Sequence, residues 1–209
     1  MRNIHYVTIA ALFAFTACNG GGNDGPAPVT NTILEDIAAN YNTIIQNMEL
    51  VTDINDYPSV QGKYTFYDLD QGVTIEDSTS DVWDIAFGGT TLLANSAHGG
   101  GIQVVNESYS GLENAPETGY ESGNASWYIY TGEAPNLPKH AVLPNSNATV
   151  VIKTPKGTYA KMEILSYYLG NPDITSAEFA NLMTRPAAGY FSFNYVLQEA
   201  ETTELFHID

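Results

Sequence analysis

ATVVIKTPKGTYAKMEILSYYL, residues 148–169, is the stretch on which the reading of this chain turns. Two runs rich in β-branched and aromatic residues, 148–154 and 158–169, flank Pro155-Lys156-Gly157. A turn of that composition between two such runs signals a β-hairpin. Working outward, segments of the same kind recur: GKYTFYDL (62–69), WDIAF (83–87) followed by TTLLAN, GGIQVVN (100–106), SWYIYT (126–131) and YFSFNYVLQ (190–198). In the last, Tyr190, Ser192 and Asn194 alternate with Phe191, Phe193 and Tyr195, which are the two faces of one strand. Alternation likewise predicts Trp83, Ile85 and Phe87 on a single buried face. The expected fold is all-β with a mostly antiparallel sheet.

Two segments carry a helical signal instead. Ile33, Leu34, Ile37, Tyr41, Ile44, Ile45 and Met48 recur at helical spacing, and Thr32 and Glu35 have capping-box spacing. They predict an N-terminal amphipathic helix over 31–48, packed on the β-domain. TSAEFANLM (175–183), opened by Thr175 with Glu178 three residues on, predicts one short helix near the C-terminus. Irregular stretches rich in Gly, Pro and Asn, 107–125 and 132–147, interrupt the strands; long loops on a β frame often carry function.

The single cysteine, Cys18, closes a distinctive N-terminus. Arg2 is followed by an apolar run from Val7 to Phe15, broken only by Thr8. The run is shorter than the ~20 residues of a membrane span and fits a secretory signal peptide, 1–17. Thr16-Ala17 supply small residues before Cys18, and NGGGNDGPAP follows as a flexible tether, giving 18–29 as lipidated cysteine and linker. The pattern resembles a bacterial lipobox, with Cys18 the lipidated residue and the membrane reached through its acyl chains. The domain, 30–209, then holds no cysteine, and its stability must come from a core.

Removing 1–17 takes away one base, Arg2, of seven, and leaves six Lys and Arg against 24 Asp and Glu. So acidic a surface repels phosphate backbones and excludes nucleic acid as a partner. Catalytic signatures are missing: the sequence has no G-x-S-x-G elbow, no H-E-x-x-H and no free thiol in the mature domain. The chain reads as a non-enzyme. D-L-D-Q-G (68–72) lacks the glycine and glutamate spacing of a calcium loop and reads as a polar turn. Three histidines remain in the mature chain: His98 in ANSAHGGG, where glycines permit close approach of a flat ring, His140 in NLPKHAVLPN, and His207 near the end.

Taken in order, the Cys18 lipobox, WDIAFGGTTLLAN (83–95), GGGIQVV (99–105), WYIY (127–130), HAVLPNSNATVVIKTPKGTYAKMEILSYY (140–168) and YFSFNYVLQ (190–198) resemble the HmuY-like family of Bacteroidetes haem-binding lipoproteins. The resemblance implies a mostly antiparallel β-fold with a pocket formed by projecting loops. It implies an outer-membrane lipoprotein that captures haem and passes it to a TonB-dependent receptor. It also implies two axial side chains on the iron, histidines or other donors such as methionine. The first long loop here holds Tyr109 and Tyr120 but neither His nor Met, and the second holds His140. In the terms of the resemblance His140 and His98 are the expected axial ligands, which requires the two to converge on one pocket, and tyrosinate ligation by Tyr109 or Tyr120 stays open as the alternative. The competing expectation is an envelope lipoprotein that binds a protein or glycan through its aromatic loops, without haem.

Overall fold

A computed structural model describes the backbone of residues 32–38 and residues 64–124 and 126–198 in full. The signal segment, Cys18, the tether and His207 lie outside the described residues. The hairpin at 148–169 forms as its sequence predicts. Strands β10 (Thr149–Lys153) and β11 (Tyr159–Tyr168) pair antiparallel, Lys153 facing Tyr159 and Val150 facing Met162. The turn closes through Gly157 N–H donating to the Thr154 carbonyl at 3.0 Å, with Gly157 at φ +82°. That backbone conformation suits glycine, which has no Cβ to clash.

Two five-stranded sheets and a two-stranded ribbon make the fold. The first sheet runs β1 (Thr32–Ala38), β12 (Ala188–Leu197), β11, β10 and β6 (Gly101–Val105). The second runs β3 (Val73–Ile75), β2 (Thr65–Asp68), β4 (Ile85–Gly88), β5 (Thr91–Ala94) and β7 (Gly123–Asn124). The ribbon pairs β8 (Tyr128–Tyr130) with β9 (Val142–Pro144). Every strand pairing among the described residues is antiparallel.

The two sheets bury one shared core. Ala160, Met162 and Ile164 of β11 and Phe191, Phe193 and Tyr195 of β12 meet Tyr67, Ile85, Phe87 and Leu92 of the second sheet. Phe87 stacks on Phe193 with ring centres 5.2 Å apart and tilts against Phe191 at 5.0 Å. Burying each such ring contributes about 1.5–3 kcal/mol. Trp127 lies beneath the ribbon, fully buried against Phe191, and its indole N–H donates to the Thr90 carbonyl at 2.8 Å.

Three local expectations are corrected. Residues 32–38, the first part of the predicted helix 31–48, form strand β1, with Thr32 facing Tyr195 and Ala38 facing Tyr190; the rest of that segment lies outside the described residues. The free edge of β12 offers the segment a ladder of backbone hydrogen bonds, and such tertiary pairing overrides weak helical spacing. Trp83 is buried, but in a cluster with Tyr64 and Ala86 rather than with Ile85 and Phe87. Regular pairing starts at Ile85, so strand alternation does not reach back to Trp83. The C-terminal helix is a single turn, α1 (Ala177–Ala180), capped by Ser176 rather than Thr175: the Ser176 hydroxyl accepts from Phe179 N–H at 3.1 Å. Its fully buried Phe179 packs edge-on against Tyr168.

Candidate functional site

The first long loop does not project. After β6 the chain crosses back over the outer face of the first sheet, where Leu112 and Ala115 pack on Val151, with Tyr120 against Tyr159. Lys161, pointing outward from β11, lies beneath the loop and is only 1% exposed. Its ammonium donates to the carbonyls of Tyr109 and Leu112, both at 2.9 Å, and sits 5.0 Å over the Tyr109 ring. Burial pushes the pKa of Lys161 down and those of the Tyr109 and Tyr120 phenols up. Both phenols pack between loop and sheet, where burial disfavours the tyrosinate form that ferric iron takes as a ligand.

His98 ends a 3-10 turn, Ser96–His98, at the β5–β6 junction. Its Nδ1 lies 2.9 Å from the side-chain oxygen of Asn95, a fully buried residue whose amide donates to the carbonyls of Ser80 and Trp83. Facing the Asn95 oxygen, Nδ1 is the protonated nitrogen. Gly100 and Gly101 serve the chain itself. A Cβ on Gly100 would sit 2.9 Å from the Asn95 carbonyl oxygen, and one on Gly101 would sit 2.7 Å from Tyr120 Cβ. These two are small so that backbone and loop can close, whereas a Cβ on Gly99 would meet open space.

His140 occupies the opposite setting, an exposed position on the loop between β8 and β9. It is held at φ +52°, left-handed backbone that costs a non-glycine residue about 1–3 kcal/mol. Two sets of bonds impose it. From within, His140 N–H donates to Gly132, and the buried Thr131 hydroxyl bridges Pro138 O and Ala141 N. From outside, Arg185 donates to the carbonyls of Lys139 at 2.9 Å and His140 at 3.2 Å, while its Nε bonds Phe179 O. The ring is oriented by Tyr130 OH, 2.9 Å from Nδ1, and by Glu133, 2.7 Å from Nε2. Lys139 bonds the other Glu133 oxygen at 2.7 Å, and this pair holds the exposed carboxyl below its usual range.

The two predicted iron ligands are not brought together. His98 precedes Gly101, which faces Lys153, which in turn faces Tyr159 at the start of β11. His140 stands beyond the other end of that strand, where the Tyr168 hydroxyl accepts from Val142 N–H at 3.0 Å. A strand of ten residues spans roughly 30 Å. Two axial ligands must flank one iron, so a His98–His140 pair does not fit haem in this structure.

What surrounds His140 is an apolar end. Ile129, Tyr130, Leu137, Leu169 and Leu182 are all exposed there, and Met183 is 91% exposed. Arg185 binds the 179–185 segment to the His140 turn, so Met183 belongs to the same end. Methionine is among the donors that the family resemblance allows, but Met183 stands inside the short-helix motif TSAEFANLM, where nothing in the sequence marks it as a ligand. An imidazole and a thioether together form a donor set suited to haem iron.

The class this defines is an all-β protein with two packed antiparallel sheets and a clamped, exposed His140 loop at one end. Its neighbours among solved structures are HmuY-like proteins. The apo HmuY analog of Tannerella forsythia is 14% identical, with a TM-score of 0.48, over 82% of this chain and 98% of that one. Apo PinO of Porphyromonas is 12% identical, TM-score 0.43, over 66% and 92%. A Bacteroides vulgatus protein proposed to be HmuY-like and heme-binding is 16% identical, TM-score 0.36, over 64% and 84%. No family model and no curated protein matches the chain. At these identities and scores the likeness assigns neither ligand nor site.

Proposed function

We propose that this protein is an exported, non-catalytic lipoprotein that binds haem or a related porphyrin at the His140 end. In this reading residues 1–17 direct export, Cys18 carries the lipid that anchors the chain to the outer membrane, and 30–209 form the binding domain. Cargo passes to a TonB-dependent receptor. The observation that carries the reading is His140 itself, an exposed histidine held in strained backbone by bonds from both sides and set among exposed apolar side chains. Strain of this kind gathers at functional sites. The sequence resemblance points to the same ligand. His140 is the residue assigned to iron, Met183 the second donor, and Ile129, Leu137 and Leu182 the apolar surface for the macrocycle. For Nε2 to reach iron, Glu133 must release it, an exchange that is easy for an exposed pair.

Titrating hemin into the purified protein tests this. A sharpened Soret band is expected in wild type, with a shifted band and weaker binding in His140→Ala and Met183→Leu, and no change in His98→Ala. Hemin that leaves the wild-type spectrum unaltered sinks the proposal. The exposed Tyr130 and its apolar neighbours would then mark a surface for a protein or glycan.

A further inference from the structure

At the far end of β11 from His140, a cavity of about 190 Å³ opens between the sheets, lined by Asp70, Asp84, Thr154, Lys156, Leu197 and Gln198 among others. Asp84 is 4% exposed; one of its oxygens accepts from Leu69 N–H at 2.8 Å. Lys156, from the β10–β11 turn, is ion-paired with Asp70. Three carboxylates, those of Asp68, Asp70 and Asp84, thus act on one ammonium that is paired with Asp70, and Asp84 is left without its own cation. Gln198 supplies an independent observation. It is 2% exposed, and its side-chain oxygen has no hydrogen-bond partner. An orphaned buried acceptor costs about 1–3 kcal/mol, which a donor entering the cavity removes.

From this geometry we infer that the cavity is a binding site for a primary ammonium group. Beside Lys156, which Asp70 holds, the lining offers three acceptors with spare capacity: the second Asp84 oxygen, the Gln198 amide oxygen and the Thr154 hydroxyl oxygen, which already shares one hydrogen bond with Thr158; they match three N–H donors on a single nitrogen. A guanidinium is a poorer match, because its planar fork seeks both oxygens of a carboxylate and Leu69 already holds one. A calcium ion needs six to eight oxygens, and no group of three His, Cys, Asp or Glu side chains suited to a metal occurs among the described residues. Leu197 adds an apolar side chain to the lining, which suits the alkyl stem of an amine. Burial raises the Asp84 carboxyl to about 6, with Asp68 and Asp70 pushing the same way and the Leu69 N–H and Lys156 opposing; an added cation relieves that cost. The site is independent of the haem reading.

The test uses n-butylammonium as probe and the side-chain amide signals of Gln198 in NMR spectra of the purified full-length protein. Saturable shifts are expected with n-butylammonium and none with tetramethylammonium, which has no N–H. Asp84→Asn and Gln198→Leu are each expected to weaken binding at least about tenfold, with thermal melts confirming that both fold. A glycyl-lysyl-glycine peptide blocked at both ends separates the sources. If it binds too, a lysine side chain can enter; if only the small amine binds, the ligand is a free amine. Absence of a saturable shift, an equal shift with tetramethylammonium, unchanged binding in both variants, or preferential saturation by calcium would each overturn the inference.

Discussion

The loop between β6 and β7 and the loop between β8 and β9 are both rich in Gly, Asn and Ser or Pro, yet they meet opposite fates. The first is drawn flat onto the sheet by a cation beneath it, Lys161, which satisfies two loop carbonyls from a buried position. The second stands off the sheet and is braced from outside by Arg185, whose bonds reach the carbonyls of the exposed residues Lys139 and His140. One lysine hides a loop's backbone and its tyrosines; one arginine presents a histidine. The difference lies in which side of the loop the cation occupies. It explains why the tyrosine-bearing loop 107–122 contributes packing, while the His140 loop contributes surface.

The sharpest way to break this contrast is to remove the inner cation. Lys161→Met keeps the apolar stem but leaves the Tyr109 and Leu112 carbonyls without their donor. Stability is expected to fall by about 2–3 kcal/mol, read as a lower urea midpoint. Limited proteolysis should move to 107–122 in the variant and not in wild type. An unchanged midpoint would mean that Leu112, Ala115 and Tyr120 hold the loop by apolar contact alone.

Removing the outer cation should do less. Arg185→Ala loses bonds to Phe179, Lys139 and His140 and the contact of the guanidinium with the Phe179 ring, 4.8 Å away. Much of this is near solvent, and a loss of about 1–2 kcal/mol is expected. The effect should be local: amide exchange rises in 132–141 and 179–185 while the β10–β11 hairpin stays protected. Protection lost evenly across both sheets would contradict the idea of a separate brace.

How far these features could be read in the sequence depended on the range of the interaction. The 148–169 hairpin and the two faces of β12 rest on adjacent residues and a period of two, and both were legible. β1 was not, because its partner Tyr195 lies at the opposite end of the chain and the apolar spacing of 33–37 suits a helix as well as a strand. Trp83 was placed as buried but on the wrong face, since the strand that sets the alternation begins two residues later. Lys161 reads as an ordinary surface charge; only the returning loop buries it. His98 and His140 were picked out by residue type, whereas the length of β11, which separates them, is a property of the assembled sheet.

The finest test separates the His140 backbone from its ring. Two contributions meet at this residue: strain from φ +52°, and the ring's contacts with Tyr130 and Glu133. Both His140→Ala and His140→Gly abolish the contacts, but only glycine tolerates left-handed backbone freely. The glycine variant is therefore expected to be the more stable of the two by roughly 1 kcal/mol, a difference of about 2–4 °C in melting temperature for a domain of this size. If the two variants melt together, the loop relaxes out of the left-handed conformation once the ring is gone. The ring contacts, rather than the Thr131 and Arg185 bonds, would then be what holds the backbone there. If glycine is the more stable, the surrounding bonds impose the strain and the histidine is kept despite it. Hemin spectra of the glycine variant then complete the argument: a fold as stable as wild type with an altered Soret band assigns the imidazole to the ligand rather than to the loop.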